Sequence, residues 1–304
     1  MPENVLEVKK GRRTMHPIVR RLLVFALCLY ALPLVVLYGF QRQLIFHARR
    51  SGIPAQIPSG ARQISLRTDT GETVAALYGH AMSADSRPDS DYAHRPTLLF
   101  FYGKGGTFAG ERELFQSLRR LGINVLMPDY VGFGESSGKA SESGCYGAAT
   151  ACWRYLRTRP DVNQKILVIA GFSLGSGVAV DLAARETAAG EPVAGLALFA
   201  PYTSMADEAH QEYPVYPTAL FRWLMKYQFR SEAKMPSVRC PVLIVHSRAD
   251  QLIPFSMSDR MAAVCGGPVT RLVLLNADHG SYFTRDGATL FPALGHFLSH
   301  ALTK

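Results

Sequence analysis

One serine in the sequence stands where a catalytic nucleophile would stand. It is Ser173, within the run Gly-Phe-Ser-Leu-Gly at 171–175. The apolar residues 165–170 before this run are typical of a buried strand, and the small residues 176–184 after it are compatible with a helix. A G-x-S-x-G run between a strand and a helix is the pattern of a nucleophile elbow, a turn so tight that the residues flanking the serine must lack bulk. The pattern predicts that the serine hydroxyl is exposed at the carboxyl end of a parallel sheet, beside a helix N-terminus that favours negative charge.

A base and an acid follow later in the chain. A nucleophilic serine needs a general base, and the base needs an acid that orients it. Asp250 comes after the predicted strand 241–246, and His279 comes after the predicted strand 269–275. Both residues therefore fall at the same edge of the predicted sheet as Ser173, in the order serine, acid, histidine. This placement predicts acyl-transfer chemistry with His279 as the base.

Two neighbouring side chains compete for these roles. Asp278 is adjacent to His279, but adjacent side chains on a tight loop tend to point apart. We therefore expect Asp250 to be the acid and Asp278 to accept backbone amides of its own loop. His246 ends a predicted strand and is interpreted as a packing residue.

The elements that would position these residues follow from the hydrophobic pattern. From Thr97 onward, short apolar runs alternate with helical stretches, which is typical of βαβ units and a parallel sheet. The predicted strands of this part are 97–102, 123–127, 165–170, 193–199, 241–246 and 269–275. Before them, 61–67 and 73–80 predict a hairpin around a turn at 69–72.

A long crossing over 201–236 interrupts the alternation of strands and helices. Its aromatic residues are Tyr202, Tyr213, Tyr216, Phe221, Trp223, Tyr227 and Phe229. The crossing is either a set of packed helices or a small cap whose aromatic side chains line an acyl pocket. We favour the cap, because long insertions in compact domains are often functional.

Four stretches of the sequence resemble the α/β-hydrolase superfamily, and the resemblance covers residues 60–304. The stretches are 40–46, 128–138, the run 171–175 and 249–254. Within the superfamily, the chain is most similar to membrane-anchored, single-domain alpha/beta hydrolase domain-containing serine hydrolases with a serine aminopeptidase-like domain. The resemblance implies a mostly parallel, doubly wound α/β sheet with a short cap. It also implies catalytic triad roles for Ser173, Asp250 and His279.

The resemblance further implies an oxyanion hole made of two backbone amides. These are the amide of Leu174, which follows the serine, and the amide of Lys104, in the turn 101–107 after the third strand. Similar proteins usually have His-Gly where this chain has Tyr102-Gly103. The backbone donor does not depend on that side chain, but the hydrogen bonds that stabilise the turn do.

The implied activity is cleavage of a carboxylic ester or thioester of a small-molecule or lipid-like acyl substrate, through an acyl-enzyme intermediate and without a cofactor. An aminopeptidase or amidase would use the same residues. A non-catalytic binding protein on the same scaffold is the alternative from another class. It is disfavoured because all three triad positions are present.

No cofactor or metal is predicted from the remaining motifs. The Gly-rich residues 103–107 lack the spacing of a P-loop, and they do not form the G-x-G-x-x-G run of a dinucleotide-binding unit. The histidines and the five cysteines lack metal-ligand spacing. Cys240 and Cys265 fall at the amino ends of neighbouring predicted strands and could pair in an oxidising compartment.

The formal net charge of +9 would suit a nucleic-acid partner or a membrane surface, and its distribution decides between them. Residues 1–50 hold nine of the 33 basic residues and two of the 24 acidic residues, so the rest of the chain carries a net charge of +2. A nearly neutral domain lacks the basic surface that nucleic-acid binding requires. No nucleic-acid partner is therefore predicted.

Residues 22–40 form an apolar stretch of nineteen residues without charge, close to the about 20 residues that a helix needs to cross a bilayer. A cleaved signal peptide is the competing interpretation, but the stretch is longer than an ordinary signal core and offers no small-x-small cleavage site. Six basic residues precede it and three follow closely. We therefore expect a basic cytoplasmic tail at 1–21, a signal anchor at 22–40 and a linker at 41–60. The hydrolase domain, 61–304, would then be periplasmic or extracytoplasmic.

Overall fold

The computed structural model describes residues 15–50, 56–83, 87, 89–191 and 193–301 of the chain. The chain divides into two compact units, Met1–Gln41 and Arg42–Lys304. Most of the predicted basic tail lies outside the described residues, as does the part of the predicted linker at 51–55.

The first helix, α1, runs from Pro17 to Phe46 and contains the whole predicted span 22–40. Its most apolar 18-residue window has a mean hydropathy of 2.4, so the helix is apolar and long enough to cross a membrane. At about 1.5 Å per residue, its 30 residues extend roughly 45 Å, the thickness of a bilayer with its headgroups. The helix continues past Phe40 into the stretch that the sequence predicted as a linker.

The second unit is built on one sheet whose eight described strands have the order β1-β2-β4-β3-β5-β6-β7-β8. The strands are β1 Ala61–Arg67, β2 Thr73–Gly79, β3 Thr97–Phe101, β4 Asn124–Pro128, β5 Leu167–Phe172, β6 Gly195–Phe199, β7 Val242–Ser247 and β8 Val269–Leu274. β1 and β2 form the predicted hairpin, and β2 is also antiparallel to β4. The pairs from β4 through β8 are parallel. The mostly parallel sheet predicted from the sequence is confirmed.

The burial of each strand explains the pattern of apolar residues in its sequence. Every residue of β3, β4, β6 and β7 is buried, since helices cover both faces of the sheet, and such strands appear as continuous apolar runs. The outer strands β1 and β8 instead carry mostly exposed or half-buried side chains. Of the three predicted site residues, Ser173 and Asp250 follow buried strands, β5 and β7, and His279 follows the outer strand β8.

Helices follow each of the parallel strands. They are α2 Arg112–Arg119, α3 Glu142–Arg157, α4 Leu174–Ala188, α5 Met205–Glu212, α6 Thr218–Leu224, α7 Ser231–Lys234, α8 Phe255–Ala263 and α9 Gly287–Ala301. Side-chain caps define where two of them begin: the hydroxyls of Ser141 and Ser204 accept hydrogen bonds from amides in the first turns of α3 and α5. Helix α4, which follows the candidate nucleophile, is buried over its first three turns.

The crossing 201–236 contains the short helices α5, α6 and α7, and its aromatic side chains divide into two groups. Tyr202, Tyr216, Phe221 and Phe229 are buried. Trp223, in contrast, is 79% exposed. The crossing is therefore anchored by inward-facing rings and also presents a large apolar side chain to its surroundings.

The second unit begins with the last residues of α1. Phe46 is fully buried, and its ring centroid lies 4.9 Å from that of Tyr227. The Phe46 carbonyl accepts a hydrogen bond from the Gly105 amide at 3.1 Å, and the Arg49 carbonyl accepts one from the Gly134 amide at 2.7 Å. Residues before the first strand are thus part of the domain core.

Candidate active site

Ser173 lies on the turn between β5 and α4, where the sequence predicted it. Its backbone has φ 53° and ψ −120°, a conformation that costs a non-glycine residue about 1–3 kcal/mol. The Ser173 amide donates to the Phe199 carbonyl at 2.9 Å, which ties the turn to the neighbouring strand β6. The strained turn holds the serine between the end of one strand and the first turn of a helix.

Two glycines make this turn possible. A Cβ atom on Gly171 would lie 2.1 Å from the Gly175 carbonyl oxygen, and a Cβ atom on Gly175 would lie 2.0 Å from the Phe101 carbonyl oxygen. Both distances are far below any real Cβ contact, so only glycine fits at either position. The close approach predicted from the G-x-S-x-G run is present.

His279 lies between Ser173 and Asp250. Its Nε2 is 2.9 Å from the Ser173 Oγ, and its Nδ1 is 2.9 Å from the Asp250 Oδ2. Asp250 follows β7 and His279 follows β8, so the three side chains meet at the carboxyl edge of the sheet. The structure brings the three predicted residues together.

Asp250 is buried, and each of its carboxyl oxygens accepts two hydrogen bonds. Oδ1 accepts from the amides of Leu252 and Ile253 at 2.9 and 3.0 Å. Oδ2 accepts from His279 and from the Tyr282 hydroxyl, both at 2.9 Å. Burial by itself raises the pKa of Asp250, but the hydrogen bonds from His279, Ile253 and Tyr282 outweigh it and hold this pKa below its ordinary value. The carboxylate is therefore ionised at neutral pH.

The ionised carboxylate determines which ring nitrogen of His279 carries the proton. A carboxylate only accepts hydrogen bonds, so Nδ1 is the protonated nitrogen, and Nε2 of the neutral ring accepts from the Ser173 hydroxyl. The Phe172 ring stacks on the imidazole with centroids 5.1 Å apart, which helps to fix its plane. The ring is oriented as a general base for Ser173 would be.

Asp278 and His246, the two other side chains considered for the triad roles, lie in different surroundings from Asp250 and His279. Asp278 is exposed, and the loop amides of Asn276 and Ala277 donate instead to Asp286, at 3.2 and 2.9 Å. From the sequence we expected Asp278 to accept the amides of this loop. In the structure Asp286 accepts them instead, because the start of α9 brings the Asp286 carboxylate back to the loop.

His246 is buried at the end of β7, as the packing interpretation predicts. Its Nε2 lies 3.0 Å from the Ile253 carbonyl oxygen, so this nitrogen carries the proton, and it lies 3.8 Å from the Asp250 Oδ2. Burial lowers the pKa of His246, which keeps the ring neutral. The residue therefore packs beside the acid as a neutral side chain.

The turn that follows β3 lies directly against the serine. A Cβ atom on Gly103 would be 3.3 Å from the Ser173 Cβ. The Gly105 amide in this turn is already used, because it donates to a backbone carbonyl at 3.1 Å. Among the described residues, the amides of Lys104 and Leu174 have no acceptor. These two amides are the predicted oxyanion donors, and both belong to backbone that adjoins Ser173.

Tyr102 supplies the hydrogen bonds of this turn in place of the histidine found in similar proteins. Its hydroxyl donates to the buried Asp129 carboxylate at 2.8 Å, and the Phe108 amide donates to the same oxygen at 2.7 Å. The Tyr130 hydroxyl donates to the Tyr102 carbonyl at 2.6 Å. The turn is therefore fixed at both ends, although by a different side chain.

Sequence reasoning missed two polar side chains at this edge. Tyr282 comes three residues after His279, and this short spacing within one loop could have indicated it. Glu208 lies on α5, close enough to the candidate acid for the two charges to interact. Nothing in the sequence distinguishes it from the exposed Glu212 on the same helix.

The cysteines and the metal-binding side chains add no second centre. Within the described ranges, no group of three or more His, Cys, Asp or Glu side chains could hold a metal ion. Cys240 and Cys265, considered as a pair from the sequence, are free thiols in this structure.

Comparisons with known proteins agree with this architecture. A profile of the alpha/beta hydrolase fold matches residues 96–227. An uncharacterised protein of Mycobacterium tuberculosis is 29% identical over 88% of this chain and 90% of its own length. The lysophosphatidylserine lipase ABHD12 of Danio rerio is also 29% identical, over 62% of this chain and 52% of its own.

The solved structures show the same fold at low sequence identity. The Pyrococcus furiosus esterase Pf2001 matches with a TM-score of 0.62 at 15% identity, over 81% of this chain and 98% of that one. The match to the family profile and the likeness to the solved structures show that this chain has the alpha/beta hydrolase fold.

Proposed function

We propose that this protein is a serine hydrolase that cleaves carboxylic esters through an acyl-enzyme intermediate. The observation that carries the proposal is the position of His279, 2.9 Å from Ser173 on one side and 2.9 Å from Asp250 on the other. The strained turn that presents Ser173 supports the same role, because strain of this kind is retained mainly at functional sites.

The proposed reaction has two steps. His279 takes the hydroxyl proton as Ser173 attacks the ester carbonyl, and Asp250 stabilises the charged imidazole that forms. The amides of Leu174 and Lys104 would donate to the developing oxyanion, a contribution that is usually the largest electrostatic one in acyl transfer. The alcohol leaves with the proton from His279, and a water molecule activated by the same ring then releases the acyl group.

An ester is the favoured substrate among the acyl compounds that this site could attack. Thioesters, amides and peptides with a free N-terminus would use the same three residues. The relatives named above include a lipase and an esterase. We therefore propose an ester with a lipid-like acyl chain, and the crossing 201–236 as the cap that covers it.

The helix α1 supports membrane anchoring of the enzyme. Residues 22–40 would span the bilayer, and the basic residues that precede them would keep the N-terminus in the cytoplasm. The hydrolase domain would then act on the periplasmic or extracytoplasmic side. An anchored domain of this kind reaches lipid substrates without leaving the membrane surface.

The proposal predicts that a fluorophosphonate probe adds covalently to Ser173. In detergent-solubilised membranes, Ser173→Ala should abolish both labelling and ester hydrolysis, because no other residue would supply the attacking oxygen. Ser256→Ala, which changes an exposed serine on α8, is the matched control and should keep both. Retained turnover in the Ser173 variant would contradict the assignment of Ser173 as the nucleophile. Absence of both labelling and hydrolysis in the folded wild type would favour the non-catalytic alternative.

A further inference from the structure

Tyr282 is a fully buried side chain in the loop between β8 and α9, and the proposed acyl transfer assigns it no step. Its hydroxyl makes two hydrogen bonds, one with the Ser247 amide at 3.0 Å and one with the Asp250 Oδ2 at 2.9 Å. An amide N–H can only donate, so the single proton of the phenol points to the carboxylate. The end of β7 therefore fixes the Tyr282 hydroxyl as a donor to Asp250.

The ring of Tyr282 reaches the other two triad positions. Its centroid lies 6.4 Å from that of His279 in a T-shaped contact, and 5.6 Å from that of Phe172, which precedes Ser173. Packing here does not require a hydroxyl, since the neighbouring Phe283 ring also lies 5.6 Å from Phe172. The hydroxyl of Tyr282 therefore has a role besides packing, and its partner is the acid.

The titratable groups that face Asp250 come from three parts of the fold. His279 and Tyr282 come from the loop after β8, His246 from β7 and Glu208 from α5. The His246 Nε2 lies 3.8 Å from Oδ2, but its proton is directed to a backbone carbonyl. Burial raises the pKa of Glu208 to about 8, so this carboxyl group carries little charge at neutral pH. Among the described residues, Tyr282 is thus the neutral donor that shares Oδ2 with the base.

We propose that Tyr282 is a positioning residue of the triad, whose hydroxyl keeps the Asp250 carboxylate ionised and aimed at His279 as the pH falls. The inference rests on the proposed ester hydrolysis at Ser173, on which Tyr282 acts through the acid. The hydroxyl donates to the same oxygen that holds the imidazole. It therefore shares the negative charge of this oxygen and restricts its rotation away from the ring.

The direction of the pH effect follows from this shared oxygen. Burial raises the pKa of Asp250, while hydrogen bonds from His279, Ile253 and Tyr282 lower it below its ordinary value. Without the hydroxyl, Oδ2 has one donor fewer and attracts a proton more strongly, whether its own or the one on the imidazole. Both effects remove the active form at a higher pH, so the acid limb of the activity profile should move upward.

The test compares two changes at this position in the full-length protein in detergent, with kcat and KM for p-nitrophenyl butyrate measured across the pH range. Tyr282→Phe keeps the ring and removes the hydroxyl. It should move the acid limb of kcat/KM upward by roughly one pH unit and lower kcat about 10-fold, with little change in KM. Replacing Tyr282 with 3-fluorotyrosine gives a more acidic hydroxyl that donates more strongly, and should move the limb to lower pH. A purely structural side chain would not shift the limb in opposite directions.

Tyr78→Phe is the matched control, since it removes a buried tyrosine hydroxyl on β2 that has no hydrogen-bond partner in the described part of the chain. It should leave kcat and the acid limb unchanged. If Tyr282→Phe does not fold, the fluorinated protein decides by the direction of its shift. An acid limb that stays in place, while hydrolysis still depends on Ser173, would overturn this inference alone. Absence of any Ser173-dependent hydrolysis in the wild type would overturn the proposed function, and this inference with it.

Discussion

At the scale of single residues, the Asp250 carboxylate shows how a buried acid can be kept ionised. Four hydrogen bonds reach its two oxygens, two of them from backbone amides and one from the Tyr282 hydroxyl. These three donors keep their charge throughout the proposed reaction. The fourth donor, His279, is the one that becomes charged in the proposed reaction. The ionised Asp250 carboxylate would then stabilise the imidazolium through the same hydrogen bond.

This arrangement predicts that Asp250→Asn and Asp278→Asn differ strongly. In Asp250→Asn, the amide would favour the wrong tautomer of His279, a change that costs about 10⁴ in turnover in serine hydrolases. We expect a loss of several orders of magnitude in kcat with little change in KM. Asp278→Asn should retain most of the activity, because its carboxylate is exposed. Ester turnover of both variants, with circular dichroism to check folding, decides the assignment; the reverse order would move the acid to Asp278.

At the scale of elements, helix α3 holds the end of the crossing 201–236. The Glu142 carboxylate in its first turn accepts hydrogen bonds from the Gln228 amide at 2.6 Å and from the Phe229 amide at 2.9 Å. The Tyr146 hydroxyl donates to the same carboxylate at 2.8 Å. One side chain thus fixes the chain segment that leads into α7.

Replacing this carboxylate should loosen the crossing. Glu142→Gln keeps the shape but turns one acceptor oxygen into an amide donor that faces a backbone N–H. We expect a loss of about 1.5–3 kcal/mol in the free energy of unfolding, the usual range for hydrogen bonds to a charged group. Thermal unfolding of the purified protein measures it. Glu113→Gln on α2, where the side chain is 80% exposed, is the control and should be neutral, so equal shifts in both variants would contradict the anchoring role.

The elements were predictable because their signal is local. Each parallel strand lies within two residues of its predicted bounds. The central ones are buried on both faces, which requires an unbroken apolar run. Ser173, Asp250 and His279 were predictable for a related reason: each lies in the connection that follows one of these strands. Whether they are catalytic stays a proposal for the experiments above.

The other features of the site could not be predicted from the sequence, because they depend on contacts between residues that are far apart in the chain. The hydrogen bond from Tyr102 to Asp129 joins residues 27 positions apart, and the hydrogen bond from Tyr282 to Asp250 joins two separate connections of the sheet. Asp278 and Asp286 could not be told apart from sequence either, because the turn before α9 decides which carboxylate reaches the loop. Such pairs are fixed by packing between elements.

At the scale of the whole molecule, the charge distribution predicts the topology. Basic residues concentrate before the span 22–40, which favours a cytoplasmic N-terminus. Alkaline phosphatase fused after Lys304 should therefore be active in a bacterial host, because this reporter folds only outside the cytoplasm. A cytoplasmic reporter at the same site should be inactive. Activity of the cytoplasmic reporter would reverse the orientation, and solubility of the full-length chain without detergent would exclude the anchor.

The burial of Phe46 limits where this chain can be cut. A protease that cleaved just before the first strand would release a domain without a fully buried aromatic ring, a loss of about 3–5 kcal/mol by analogy with core truncations. It would also remove the carbonyl groups that accept from Gly105, beside the proposed oxyanion donor, and from Gly134. Shedding of an intact enzyme therefore requires a cut before Phe46. A shorter secreted form would be expected to lose activity together with its anchor.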